Sequence, residues 1–325
     1  MKVTVLGAGA WGTALAKLLQ EGKHHVTLWG HDPEHLQALR SGRNERYLPG
    51  IPLPLDWTLE PDLARAAVGR DCLIVAVPSK ALRSVTKNLS DYSSLVVSVT
   101  KGIEYDTGLT MSGVLRANIP KASVVALSGP TFAQEVARGI PSAIVAGSQE
   151  LKASETVQRL FHRPTFRVYT STDMLGVELG GALKNVIAIA AGVGDGLGFG
   201  DNSKAALITR AIVEIRRLGV ASGAQTETFF GLSGLGDLTA TCFSRLSRNR
   251  GLGESLGKGE KLEEILAKTV TVAEGYPTAR SAYQLAQRLN LMTPIINETY
   301  AMLYEGKNVA KAVQDLTGRD SKAEN

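Results

Sequence analysis

Four segments in the second half of this 325-residue chain put polar side chains where a plain helical reading has no use for them. ELGGALKNVIAIAAG sets Lys184 and Asn185 inside an otherwise apolar, glycine-containing helical run. A lysine there is desolvated unless it snorkels to water along its aliphatic stem, pairs with a carboxylate or is used in chemistry. GLSGLGDLTATC brings Asp237 after a glycine-rich turn, where a carboxylate serves either as a helix cap or as a site residue. SRLSRNRGLG gathers Ser247, Arg248, Asn249 and Arg250 ahead of a glycine. That is either a solvated basic turn or the mixture of guanidinium and amide donors that a phosphate clamp needs. TVAEGYPTA places Glu274 at a helix start.

The first half supplies elements that could hold a ligand against those residues. MKVTVL reads as a strand, GAGAWG follows it, and TALAKLLQEG repeats Leu15, Leu18 and Leu19 at helical spacing. A lone G-x-G-x-x-G is weak in a chain with 34 glycines, but strand, glycine run and helix in this order are the context a dinucleotide site requires. Gly7 permits the tight turn, Gly9 lets the backbone approach a pyrophosphate, and Gly12 lets helix and strand pack closely. The N-terminus of the helix that follows then turns unpaired N–H groups toward the anion.

Further apolar runs, HVTLW, CLIVAV, LVVSV, SVVALS, SAIVAG and FRVYTS, alternate with helical patterns. Continuous apolar strands are those covered on both faces, so a doubly wound parallel sheet is expected over residues 1–172. From Asp173 the patterns are almost exclusively helical, over about 173–193 and 203–222 and in shorter pieces after Glu260, Glu274 and Pro294. The expected organisation is therefore α/β, a nucleotide domain at 1–172 and an all-α domain at 173–325, with GRDSKAEN as a polar tail. In an open α/β sheet ligands bind beyond the carboxyl ends of the strands. SVTKGIE, with Lys101, and SGPTFAQE, with Gly129, Pro130 and Thr131, follow strands at those ends. After the second strand, Trp29-Gly30-His31-Asp32 presents a base and an acid side by side, so NAD and NADP are both open.

Composition narrows the classes. The charge of +5 comes from scattered basic residues without aromatic interleaving, so nucleic acid is not an expected partner and a small anionic substrate is. The five histidines and two cysteines have no metal-ligand spacing, and no metal is expected. No uninterrupted apolar run of about 18 residues occurs and the chain opens directly on a strand, so stable membrane insertion is not expected and a cytoplasmic location is.

In order, GAGAWGTALA, TKGIE, SGPTFAQEVA, GVELGGALKNVIAIAAG, GLGDLTATC, SRNRGLG, VAEGYPTA and LYEGKN make the chain resemble the bacterial NAD(P)-dependent glycerol-3-phosphate dehydrogenases over nearly its whole length. The resemblance implies a Rossmann-type domain followed by a helical domain of the 6-phosphogluconate-dehydrogenase-like type. It also implies hydride exchange between NAD(P)H and dihydroxyacetone phosphate or sn-glycerol 3-phosphate, in support of glycerophospholipid synthesis, and a homodimer. By the same resemblance Lys184 matches the general acid/base, Lys101 a substrate- and cofactor-contacting lysine, and Asp237 the carboxylate that orients lysine or substrate. Gly129, Thr131, Asn185, Ser247, Arg248 and Asn249 match substrate contacts. Gly7, Gly9, Ala10, Trp11, Gly12, His31, Ala133, Arg248, Val272 and Glu274 match cofactor contacts.

Ala10 stands where many members carry serine, so a hydroxyl contact to the pyrophosphate is missing while the loop amides remain. A sister dehydrogenase of the 6-phosphogluconate or β-hydroxyacid type would share the architecture and the lysine–asparagine pair, but SRNR and TKGIE fit a three-carbon phosphate better. A catalytically silent dinucleotide sensor would need the glycine loop and have no use for Lys184, Lys101 and Asp237 together.

Overall fold

The computed structural model describes residues 1–268 and 273–319. Val272 and the tail from Asp320 onward lie outside the described residues. The first half alternates β1 (Lys2–Leu6), α1 (Ala10–Glu21), β2 (His25–Trp29), α2 (Pro33–Leu39), the short β3 (Arg43–Asn44) and β4 (Leu48–Pro52), β5 (Thr58–Glu60) and α3 (Leu63–Ala67). It continues through β6 (Cys72–Val75), α4 (Ser79–Thr86), β7 (Leu95–Ser98), α5 (Met111–Asn118), β8 (Ser123–Ser128) and α6 (Ala133–Ala137). It closes with β9 (Ser142–Gly147), α7 (Leu151–Phe161) and β10 (Phe166–Ser171). Helices follow: α8 (Met174–Gly196), α9 (Asp201–Ala221), α10 (Asp237–Phe243), α11 (Arg248–Gly257), α12 (Leu262–Lys268), α13 (Gly275–Arg288), α14 (Pro294–Tyr304) and α15 (Val309–Thr317).

Eight strands form one sheet in the order β10-β9-β8-β7-β6-β1-β2-β5. Successive residues along its strands are buried on opposite sides. Val3, Val5 and Ile74 pack with Leu15, Leu19 and Phe161 on one side, while Leu6, Leu73 and Val75 pack with Leu82, Val114 and Leu115 on the other. The doubly wound Rossmann-type architecture is thus present, with one difference from the expected all-parallel pairing. β8 and β9 pair antiparallel, with Ala126 opposite Gly147, so β9 and β10 run against the rest. A strand buried on both faces gives the same continuous apolar run in either direction, so the sequence pattern carries no sign of this reversal.

The chain leaves β1 toward β2 and β5 and returns on the other side of β1 as β6, which opens a crevice above the carboxyl ends of β1 and β6. Gly7 sits at that crevice with φ +123, and a Cβ there would lie 2.7 Å from the Ala76 carbonyl oxygen. Only glycine lets the two strand ends approach this closely.

In the helical half, α8 is the axis. Asp173 caps it by accepting the Gly176 N–H at 3.0 Å. It is long and apolar enough in composition to cross a membrane, but 89% of its most apolar window is buried inside the protein. The SRNRGLG segment, open in the sequence between a basic turn and a phosphate clamp, forms helix α11, and its glycines do not break it. They serve contact instead: a Cβ on Gly253 would overlap the Ile189 carbonyl, and one on Gly192 the Arg250 carbonyl. Backbone-to-backbone contact at Gly192, Gly196, Gly253 and Gly257 brings the start of α11 beside Lys184 and Asn185 on α8.

This packing makes an opposed pair of expectations. Gly251 faces open space within the same helix. Gly251→Ala is expected to raise stability by up to ~1 kcal/mol through helix propensity, whereas Gly253→Ala is expected to lower it by about 1–3 kcal/mol through overpacking. Urea unfolding midpoints would separate them, and equal effects of the two substitutions would remove the close-contact account.

Candidate active site

The two halves meet where α8, α10, α11 and the start of α13 face the strand ends. Lys184 lies near the middle of α8 with its side chain only 8% exposed. It does not snorkel. Its Nζ pairs with Asp237 Oδ1 at 2.9 Å and donates to Thr241 Oγ1 at 2.6 Å. Lys101, in the loop after β7, reaches the other carboxylate oxygen of Asp237 at 2.5 Å and donates to the Gly129 carbonyl at 3.1 Å. Asp237 is the first residue of α10 but makes no capping bond there, since both of its oxygens are taken by lysines. An ammonium has three donors, so each lysine keeps one N–H beyond these bonds.

The energetics follow from burial. Burial is the largest influence on Lys184 and pulls its pKa down from 10.5 to about 8, with Lys101 pushing the same way and Asp237 resisting. Burial alone would raise the Asp237 carboxyl, but Lys101 and Lys184 together hold it below its ordinary value. The carboxylate therefore stays charged while Lys184 is poised to exchange its proton near neutral pH.

Thr241 was not singled out in the sequence. Its hydroxyl donates to the Asp237 main-chain carbonyl at 2.6 Å and accepts from Lys184, which fixes the direction of Nζ. Its one sequence signal is its place four residues after Asp237, on the same helical face.

The segment read as a phosphate clamp divides by role. Ser247 caps α11 by accepting the Arg250 N–H at 3.2 Å. Arg250 is committed to Asp195 at 2.7 Å and Glu254 at 3.0 Å. Asn249 is engaged at both ends, its Nδ2 donating to Asn185 Oδ1 and its Oδ1 accepting the Gly275 N–H, both at 2.8 Å. That amide chain ties α8, α11 and α13 together. Arg248, in the first turn of α11, is exposed and within charge range of Glu274, which leaves it as the arginine of this segment best placed for an incoming anion. Thr131 donates to the same Gly129 carbonyl that Lys101 uses.

The glycine loop fits a dinucleotide. A Cβ on Gly9 would meet nothing within 4 Å, so the space before the N-terminus of α1 is open, while Gly7 and Gly12 are closed in by backbone. Trp11 and Ala133 are half-buried against the core on that side of the sheet. His31 is exposed at the end of β2. Asp32 caps α2, accepting the Glu34 and His35 N–H groups at 3.1 Å, so its carboxylate is already engaged. Glu274 accepts from Ser79, across the boundary between the two halves.

With this geometry in place, comparison with known proteins is direct. Models for the NAD-dependent glycerol-3-phosphate dehydrogenase N-terminus and C-terminus match residues 2–154 and 173–314. The chain belongs to the NAD-dependent glycerol-3-phosphate dehydrogenase family. It is 48% identical to the glycerol-3-phosphate dehydrogenase (NAD(P)+) of Syntrophotalea carbinolica, covering 100% of this chain and 99% of that one. The enzyme of the same name from Geobacter metallireducens is 48% identical over 99% and 98% of the two chains. The crystal structure of glycerol-3-phosphate dehydrogenase from Coxiella burnetii superposes with a TM-score of 0.94 at 35% identity, covering 98% of this chain and 99% of that one.

Asp237 is the counter-charge of two buried ammonium groups in this family member. Asp237→Asn is expected to lower the unfolding free energy by about 3 kcal/mol, the scale for removing one partner of a buried ion pair. An unchanged urea midpoint would mean that the lysines are not held by this carboxylate.

Proposed function

We propose that this chain interconverts dihydroxyacetone phosphate and sn-glycerol 3-phosphate with NAD(P)H. The observation that carries the reading is the Lys101–Asp237–Lys184 bridge, buried between a dinucleotide cradle and an exposed arginine. When bound at the glycine loop, the nicotinamide supplies or receives the hydride. Lys184 gives its proton to the carbonyl oxygen as the carbonyl carbon gains hydride, so the C=O π bond breaks while C–H and O–H bonds form. In the reverse direction neutral Lys184 takes the hydroxyl proton.

Lys101 has a free N–H for the same oxygen and keeps Asp237 paired when Lys184 becomes neutral. Thr241 aims Nζ. Arg248 takes the phosphate as a charge-assisted donor, with Ser247 beside it, and the Asn185–Asn249 amide chain holds α11 in register with α8. The product is the backbone of glycerophospholipids. The family resemblance supports a cytoplasmic homodimer as the working form, and Cys72 and Cys242, both free and buried, fit a reducing compartment.

Two measurements test this. Lys184→Ala is expected to retain cofactor binding and lose ~10²–10⁴-fold in kcat, the range of general acid catalysis. A kcat within threefold of wild type, on the order of 1 kcal/mol or less, would make Lys184 structural. Arg248→Ala is expected to raise KM for dihydroxyacetone phosphate roughly 10–100-fold, the scale of a lost charge-assisted hydrogen bond. Unphosphorylated dihydroxyacetone should be a poor substrate of the wild type, and equal use of the two ketones would remove the phosphate assignment.

A further inference from the structure

Two serine–glutamate pairs join the sheet-bearing half to the helical half, built the same way. Glu178 of α8 accepts the Ser112 N–H at 2.7 Å and its hydroxyl at 2.6 Å, at the start of α5. Glu274, just before α13, accepts the Ser79 N–H at 3.0 Å and its hydroxyl at 2.5 Å, at the start of α4. In each pair a carboxylate from the helical half takes the unpaired N–H groups of a helix start and sits at the positive end of its dipole. The pairs differ in position. Ser112 and Glu178 are both buried, whereas Ser79 and Glu274 are only partly buried and lie against Gly102, next to Lys101.

The surroundings of the second pair connect the parts of the proposed reaction. Ser79 follows the carboxyl end of β6, just beyond Ala76, whose carbonyl confronts Gly7 of the dinucleotide loop. A Cβ on Gly102, next to Lys101, would lie 2.7 Å from Ser79 Cβ, so the Lys101 loop rests on the same pair. Gly275, next to Glu274, donates to Asn249, whose amide holds Asn185 beside Lys184. One contact thus borders the cofactor cradle, the Lys101 loop and the α8–α11 substrate wall.

We infer that Ser79 is a positioning residue whose two hydrogen bonds to Glu274 set the alignment of the dinucleotide cradle against Lys184. The inference rests on the dehydrogenase reading above. The buried Ser112–Glu178 pair is the fixed anchor between the halves, and Ser79–Glu274 is the clasp at the cleft. Loosening it leaves the dinucleotide on its own glycine loop but lets hydride donor and acceptor drift, and misplacement on the ångström scale can cost about 10²-fold in rate.

Ser79→Ala keeps the backbone donor and removes the hydroxyl. It is expected to lower kcat roughly 10-fold, a part of that range, while Kd for NADH or NADPH alone stays within about twofold and Tm is unchanged. Ser79→Thr restores the hydroxyl and should recover kcat to within about twofold of wild type. Combining Ser79→Ala with Glu274→Ala should reduce kcat/KM no further than Glu274→Ala alone, because both remove one interaction. A kcat of Ser79→Ala equal to wild type, a loss not recovered by threonine, or independent multiplicative effects of the two substitutions would each overturn the inference. A wild type inactive on dihydroxyacetone phosphate would instead overturn the underlying reading, so the two failures are distinct.

Discussion

The carboxylate of Asp237 is shared by two ammonium groups in a site from which water is largely excluded, and the chemistry of the cleft depends on that sharing. A buried lysine with a private carboxylate would be locked in its charged form, and one with no carboxylate would be neutral throughout. With two lysines on one carboxylate, Lys184 can give up its proton while Lys101 leaves no buried anion unpaired. The sharing also spans the molecule, since Lys101 comes from the loop after β7 and Lys184 from α8. The proton donor is therefore assembled only when the sheet-bearing and helical halves are docked.

Within each half, the site residues are positioned by backbone contact as much as by side chains. Glycines at 192, 196, 253 and 257 let α8 and α11 touch main chain to main chain, which places the Arg248 end of α11 beside the lysine–asparagine pair. Gly7 does the equivalent for β1 and the end of β6. Around these contacts the buried amides and carboxylates are paired across elements: Asn249 with Asn185, Asp173 with the turn at 225–228, and Glu214 with the first N–H groups of α14. Burial pushes the Glu214 carboxyl up to about 7 although those N–H groups resist it, so the α14 start is held by a group that titrates near neutrality.

Much of this was legible before any coordinates. The glycine loop between a strand and a helix, the lysine in an apolar helix, and the sheet-to-helix change after residue 172 all follow from periodicity and from the desolvation of a charge. What escaped the sequence was set by distant contact. Ser79 and Thr241 are ordinary hydroxyl residues until Glu274 and Lys184 arrive from 195 and 57 positions away. Helix α11 was not marked out as a helix by its sequence, because glycine signals both flexibility and close packing and only the neighbouring helix decides between them. The reversal at β9 was hidden because continuous apolar strands look alike in both directions. Asn249, assigned by resemblance to the phosphate, has its amide bonded within the protein at both ends.

The most direct test of the shared carboxylate is the pH dependence of kcat/KM in both reaction directions. Lys184, with its pKa pulled down to about 8, must be protonated to act as the acid and neutral to act as the base. Ketone reduction should therefore lose rate as pH rises through about 8, and alcohol oxidation should gain rate through the same pH, with Lys184→Met removing both inflections. Profiles flat across that range, or inflections that persist in Lys184→Met, would contradict the account.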